Sequence, residues 1–229
     1  MKKKVIVLSL GGSLIIPDKI NYDFLEKFKI EVRRFYGKYK FVVVCGGGAI
    51  ARTYINALKE EHKTKIELSK AGIRATRMNA MFMMQFFGNE ANSTIPKDAV
   101  DIENQLKKNN IVFCGALRFM KDSTSDGVAT MIAHHFKCDF INLTDVNGLY
   151  SDDPKKNKNA KLIPYENWRD FETRANKIKF KAGQHFVLDQ NAAEFIRQYR
   201  IRTYILGKDM RNLRNVLNKK KFIGTIIEG

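Results

Sequence analysis

The sequence has no apolar run approaching 18 residues and so offers no membrane-spanning helix. After Lys2, Lys3 and Lys4 come only six largely apolar residues before Gly11-Gly12. That stretch is too short for a secretory signal and reads as a first strand. Cysteine is scarce: Cys45, Cys114 and Cys138 are scattered, odd in number and each beside apolar sequence. Their spacing excludes a metal-ligand set, and they read as buried free thiols of a reducing cytoplasm. The G-x-x-x-x-G-K-S/T spacing of a P-loop is missing, as is G-x-G-x-x-G. No internal repeat and no long linker interrupt the 229 residues. With 44% hydrophobic residues the chain can build a real core, so a single domain is expected.

Negative charge is also in short supply. Against 41 Lys and Arg stand 24 Asp and Glu, a formal net charge of +17. The lysines are spread along the whole chain, with runs of three only at residues 2–4 and 219–221. Asn, Ile, Phe and Lys, residues of AT-rich codons, are all abundant. A solvated surface shaped by base composition is therefore preferred to a field that attracts anionic substrates. Dedicated nucleic-acid binding ranks last.

What the chain does have is a stretch that organises the rest: Phe41-Val42-Val43-Val44-Cys45-Gly46-Gly47-Gly48-Ala49-Ile50-Ala51-Arg52. The apolar run predicts a strand buried on both faces, as in a parallel sheet. Three glycines leave a backbone against which a ligand can lie directly. A helix opening at Ala49 or Ile50 adds unpaired N–H donors and a positive dipole end. Together they predict an anion cradle, phosphate above all, with Arg52 one turn into the helix. A plain structural turn is the alternative. A second glycine loop, Gly11-Gly12-Ser13, follows strand 5–10.

Periodicity predicts further helices at about 22–36, through about 61 after the glycine loop (Ile50, Tyr54 and Leu58 on one face), and at 66–87. The last is dense in methionine and aromatics and suits core or subunit contact. Beyond Pro96, a helix is expected at 100–108, a strand at 111–114, and a polar loop at 116–125. Asp126 begins or caps the next helix. Strands at 138–143, 202–206 and 222–227 and helices at about 166–177, 189–199 and 209–217 follow. Residues 144–161, with Asn147-Gly148 and Asp152-Asp153-Pro154, form a turn or hairpin excursion. Strands alternating with helices predict an α/β fold: a three-layer α-β-α sandwich around a largely parallel sheet. Loops after successive strands converge at the carboxyl edge, and two glycine loops there suit phosphoryl transfer between two phosphorylated groups. In 144–154, Tyr150 offers a flat surface and Asp153 a polar group for a nucleoside; an ordinary Asn-Gly hairpin is the alternative.

The ordered set Leu10-Gly11-Gly12-Ser13, Gly46-Gly47-Gly48 with Ala51-Arg52, Gly72-Ile73, Thr76-Arg77, Asn79-Ala80, Thr124-Ser125-Asp126, Thr144-Asp145-Val146-Asn147-Gly148-Leu149-Tyr150 with Asp153-Pro154, Lys181-Ala182-Gly183 with Asp189 and Ala192, and Gly224-Thr225-Ile226-Ile227-Glu228 spans nearly the whole chain. It resembles the amino acid kinase family and, within it, the archaeal-type UMP kinases. The resemblance implies one domain over residues 1–229, with an acceptor-binding part to about 135 and an ATP-binding part beyond. It implies a transfer of the ATP γ-phosphoryl to UMP, with Mg2+ carried by the nucleotide, in a cytoplasmic homo-oligomer, a hexamer built from dimers. By the same resemblance Gly12, Ser13, Gly48 and Arg52 hold ATP phosphates and Gly47 faces the UMP phosphate. Thr124, in the loop before Asp126, and Ser69 lie toward the acceptor nucleotide. Thr144, Tyr150 and Asp153 hold the ATP nucleoside, and Asp126 orients catalytic cationic groups.

The chain departs from the family pattern in three places. Ser9 stands where many members carry a lysine two residues before the Gly-Gly pair, and Lys121, Lys181 and Arg52 are candidate replacements for its charge. Ser69 stands where UMP kinases usually place an aspartate for the uridine ribose. Ala116-Leu117-Arg118-Phe119-Met120-Lys121 replaces a Gly-Gly-rich turn. Two alternatives to a UMP kinase follow: a non-catalytic nucleotide-binding paralogue, or a kinase for another small phosphorylated acceptor. Isopentenyl phosphate is the less suited acceptor, since no histidine lies between Gly46 and Glu61.

Overall fold

A computed structural model describes residues 3–117, 124–177 and 187–229. Strand β1 (Lys4–Leu10) is the third strand of a seven-stranded sheet. β2 (Tyr39–Cys45) and β3 (Ile111–Cys114) extend the sheet on one side, and β4 (Phe140–Leu143) and β8 (Thr203–Leu206) on the other. All of these neighbours pair in parallel. β9 (Thr225–Ile227) runs antiparallel to β8 and pairs in parallel with β7 (Tyr165–Glu166) at the edge. The expected strands at 138–143 and 222–227 shorten to Phe140–Leu143 and Thr225–Ile227, because only their apolar ends meet the ladder.

The strands are buried on both faces, and their side chains sort by alternation. Leu8, Leu10, Phe41, Val43 and Cys45 face one layer, Val7, Val42, Val44, Val112 and Phe140 the other. Helices α2 (Tyr22–Arg33), α4 (Lys65–Phe87) and α9 (Met210–Leu217) supply Leu25, Phe28, Met83, Phe87 and Leu213 to the first core. Helices α5 (Ala99–Lys108), α6 (Ser125–Phe136), α7 (Trp168–Asn176) and α8 (Gln190–Gln198) supply Ile102, Ile132, Phe171 and Ile196 to the second. The result is the three-layer α-β-α sandwich with a mostly parallel sheet.

Polar residues fix the helix starts. Thr64 and Glu67 form a capping box at α4, and Asp98, Asn167 and Asp209 cap α5, α7 and α9. Helix α3 (Gly48–Glu60) behaves differently from the periodic reading: it buries no residue, and Tyr54 is exposed. It lies mainly against α4, and against the short helical turn at residues 12–15, rather than on the sheet, so its apolar stripe is only partly covered. The turn excursion at 144–161 contains β5 (Leu149–Tyr150), antiparallel to β6 (Leu162–Ile163). The buried Thr225 hydroxyl ties this hairpin to the sheet, accepting from Leu149 N at 2.8 Å and donating to Ile163 O at 2.6 Å.

Candidate active site

β1 is the point at which the sheet order reverses, with β2 on one side and β4 on the other. In an open α/β sheet the crevice outside the strand carboxyl ends at such a point is where ligands bind. The chain leaves β1 into Gly11-Gly12-Ser13, β2 into Gly46-Gly47-Gly48, and β4 into Thr144. All three exits line one cleft of about 810 Å³, together with Arg52, residues 124–126, Asn142, residues 148–156, Arg174 and Lys177.

The glycines do more than admit a ligand, because the two loops press against each other main chain to main chain. A Cβ on Gly12 would stand 2.6 Å from Gly48 Cα and 2.8 Å from the Gly46 carbonyl carbon. A Cβ on Gly48, at φ +59°, would lie 2.8 Å from Ile16 O and in a conformation L side chains avoid. Gly12 and Ser13 open the short helix α1 (Gly12–Ile15), and Gly47 caps α3 with Gly48 as its first residue. Amides at these positions have no partner inside their own helix and are available to an anion. Helix α4 holds the second loop from behind: Asn79 Nδ2 donates to Gly46 O at 2.7 Å. It also grips the exit of β3. Thr76 Oγ1 accepts from Ala116 N at 3.0 Å, and Arg77 Nε donates to Ala116 O at 3.0 Å.

Arg52 lines the cleft one turn into α3, its guanidinium steadied by a 3.0 Å bond to Pro17 O. Thr144, Tyr150 and Asp153 line the opposite wall. Asp153 organises that wall, its side chain accepting from Lys155 N at 3.0 Å and its carbonyl from Asn157 N at 2.8 Å. Asp145, also in the lining, is ion-paired with Lys155.

Asp126 lies at the second position of α6, not at its start. Thr124 is the N-cap, its hydroxyl accepting from Asp126 N at 3.2 Å. The sequence reading makes Asp126 the start or cap of this helix; Thr124 takes the cap instead, and the Asp126 side chain turns toward β1. There the fully buried Ser9 hydroxyl donates to Asp126 Oδ1 at 2.6 Å. Burial, with the nearby Asp189 charge adding to it, pushes the Asp126 carboxyl up to about 7; the Ser9 bond opposes them. Asp189 in turn caps α8, accepting from Ala192 N at 2.7 Å. Its other oxygen accepts from Thr124 N at 3.0 Å and from the Thr124 hydroxyl. Thus the caps of α6 and α8 are interlocked. Sequence reasoning named Ser9 only as a departure and Asp189 only as part of a motif. Their meeting with Asp126 joins residues 117 and 63 positions apart, and no local spacing encodes it.

The structure thus gathers Gly12, Ser13, Gly47, Gly48, Arg52, Thr124, Asp126, Thr144, Tyr150 and Asp153 around one cleft. Ser69 does not join them: it sits half-buried on α4, one turn before Gly72, and is not part of the cleft lining. Arg118, Lys121 and Lys181, with Ala182 and Gly183, lie outside the described residues. Burial pushes the thiols of Cys114 and Cys138 up to about 12 and raises that of Cys45 as well, so none of the three is poised as a nucleophile.

A three-layer α/β domain whose glycine loops meet at the switch point of the sheet is of the class that holds phosphorylated ligands on main-chain amides. The sequence profile of the amino acid kinase family matches residues 4–207. The chain belongs to the amino acid kinase family. It is 34% identical over 225 residues to a uridylate kinase of Thermococcus onnurineus, covering 97% of this chain and 99% of that protein. A uridylate kinase of Thermoplasma volcanium is 32% identical over 225 residues, with 97% of each chain covered. Among solved structures, the uridylate kinase of Archaeoglobus fulgidus superimposes with a TM-score of 0.83 at 29% identity, over 97% of this chain and 99% of that one. The UMP kinase of Ureaplasma parvum, at 20% identity and a TM-score of 0.81 over the full length of both chains, shares the fold.

Proposed function

We infer that the protein is a nucleoside monophosphate kinase that transfers the γ-phosphoryl of ATP to UMP, giving UDP and ADP. One observation carries the reading: two glycine loops in main-chain contact at a sheet switch point, facing a hairpin wall, in a chain whose full-length relatives are uridylate kinases. Gly12, Ser13, Gly48 and Arg52 take the donor phosphates, and Gly47 faces the acceptor phosphate. Thr144, Tyr150 and Asp153 hold the donor nucleoside, while Thr124 closes on the acceptor. Ser69 and residues 116–117 are left to shape the acceptor end. The amides at two helix starts, held close by loops in main-chain contact, suit a polyphosphate. Mg2+ fits as an ion carried on the nucleotide phosphates, where it neutralises charge during transfer. Among the described residues no group of three or more His, Cys, Asp or Glu is gathered to hold a metal ion.

In this site the chain does little covalent chemistry. It positions two phosphates in line, neutralises them with amides and Arg52, and excludes water with the hairpin wall. Assembly as a homo-oligomer and a cytoplasmic location complete the proposal. No helix among the described residues is long and apolar enough to cross a membrane. Nothing observed favours the non-catalytic alternative.

A coupled assay of ADP release with UMP, CMP and other phosphorylated acceptors tests the proposal. Turnover with UMP above all others is expected. Preferred turnover with another acceptor overturns the substrate, and turnover with none overturns the enzyme.

A further inference from the structure

We propose that Asn79 is a positioning residue for the acceptor nucleotide: its side-chain amide holds the Gly46-Gly47 peptide so that the Gly47 N–H points at the acceptor phosphate. The proposal rests on the cleft being a site for two phosphorylated nucleotides. It goes beyond that reading in assigning the aim of one main-chain donor to a buried side chain of α4.

A trans peptide carries its C=O and N–H on opposite edges. Gly46 O and Gly47 N belong to one such unit. Asn79 Nδ2 donates to Gly46 O at 2.7 Å, so the Gly47 N–H on the opposite edge points away from α4. α4 closes the loop from behind: a Cβ on Gly47 would lie 3.6 Å from the Ala75 methyl and 3.7 Å from Gly72 O. In front, both Gly46 and Gly47 line the cleft. Among the described residues nothing accepts from Gly47 N, which leaves that donor to a ligand. Gly46 N is bonded to Leu10 O at 2.9 Å, so the chain is anchored to β1 up to this point and only the plane beyond it is free to turn.

A clamp is needed there because both residues are glycine. Gly47 stands at φ −83°. Turning the plane over would carry it to positive φ, a region glycine enters at little cost. The Gly46 carbonyl would then face the cleft in place of the Gly47 amide and repel a phosphate. A side chain that holds one orientation raises the binding-competent fraction, and the apparent affinity with it. Asn79 is 2% exposed, and its bond to the carbonyl polarises the peptide, which strengthens the N–H at the other end. Asn79 is itself held in place. Within the same turn of α4, Thr76 Oγ1 accepts from Ala116 N at 3.0 Å, and Arg77 donates to Ala116 O at 3.0 Å and to Leu117 O at 2.5 Å. A Cβ on Gly115 would stand 2.6 Å from Arg77 N. This turn is therefore wedged between the exits of β2 and β3, and the exit of β3 gives Asn79 a fixed base from which to aim the exit of β2.

The test uses the full chain with UMP and ADP as separate probes, so that no turnover occurs. Asn79→Leu keeps the volume and removes the donor; Asn79→Asp keeps the shape and sets an oxygen against Gly46 O. Titration calorimetry is expected to show UMP binding weakened about 10-fold or more in both, the worth of one hydrogen bond to a charged group, with ADP binding changed less than about 2-fold. UMP binding at wild-type strength in either variant overturns the proposal, and so does an equal weakening of UMP and ADP, which a merely structural role would give. A second measurement needs no variant. Glycine labelled at both the carbonyl carbon and the amide nitrogen singles out the amides of Gly12, Gly47 and Gly48 by magnetic resonance, because these are the glycines that follow a glycine. In the wild type UMP is expected to move the Gly47 signal, and ADP those of Gly12 and Gly48. UMP that moves none of the three overturns the proposal even where both variants fail to fold. Absence of UMP binding in the wild type refutes the acceptor-site reading along with it, whereas UMP bound equally by wild type and variants refutes this proposal alone.

Discussion

The replacement Asp126→Asn is expected to stabilise the unliganded protein in alkaline solution. Asparagine keeps the acceptor for the Ser9 hydroxyl, bonded at 2.6 Å in the wild type, and removes the ionisation. The sign follows from a folded value of about 7 against an ordinary carboxylate value of 3.8. A group raised on folding contributes its full share only below the lower value. As pH rises from about 4 to about 7, the unfolded chain ionises first and the native state falls behind. At roughly 1.4 kcal/mol for each pH interval of one, the span sets a ceiling of about 4 kcal/mol. Asp126 lines an open cleft, and water there reduces the figure to about 2 kcal/mol at pH 8 and about 1 kcal/mol at pH 5.5. For a chain of this size that corresponds to a rise in Tm of about 4–8 °C at the alkaline end. Paired denaturant titrations and thermal melts of wild type and variant across that range give the answer. A stability gap independent of pH, or a variant less stable at pH 8, refutes the reasoning, since either means that Asp126 ionises freely in the native state.

The contact between the glycine loops makes Gly12→Ala costly. One methyl cannot fit 2.6 Å from Gly48 Cα, and separating the loops by about 1 Å should lower kcat/KM about 100-fold with a stability loss of about 1–3 kcal/mol; steady-state kinetics at wild-type levels would contradict it. Arg214→Ala deprives the buried Glu31 of its 2.6 Å ion pair, and the loss should be about 2–3 kcal/mol by urea titration, with Arg34 at 3.8 Å too distant to compensate fully. Asp189→Ala removes the shared acceptor of two caps, so hydrogen exchange should quicken in the first turns of α6 and α8 together. Faster exchange in α8 alone would mean that the interlock carries no weight.

Much of this was legible because the signals are local. The run from Phe41 to Cys45 is apolar at every position, so it had to be a strand covered on both faces, and the glycines after it marked the carboxyl edge. The turn residues of 144–161 marked an excursion from the sheet, but Asn147-Gly148 precedes β5 and the hairpin is closed by residues 151–161, around Asp152-Asp153-Pro154. Other features have no local trace. Ile50, Tyr54 and Leu58 share a helical face, yet α3 packs on α4 and the short α1 and buries no residue, and periodicity does not say how much of a stripe is covered. The glycine loops announced a ligand but not their mutual contact, which depends on two strands being neighbours. The cap of α6 is Thr124 rather than Asp126, and Ser9, which reads as a missing cation, proves to be the partner of the Asp126 carboxyl. Ser69 illustrates the converse: a position carried over from a motif does not by itself reach the cleft.

The main-chain contact between the loops after β1 and β2 has a bearing on how this protein can be altered. The spacing between the two phosphate cradles is set by peptide groups touching peptide groups, with no side chain as a shim between them. It is therefore a fixed gauge, which neither rotamer motion nor a conservative replacement can retune. Attempts to redirect the enzyme to other nucleotides have little to gain there. The adjustable parts are those that reach the cleft by side chains alone: Arg52, the hairpin wall around Tyr150 and Asp153, and the basic pair Arg174 and Lys177.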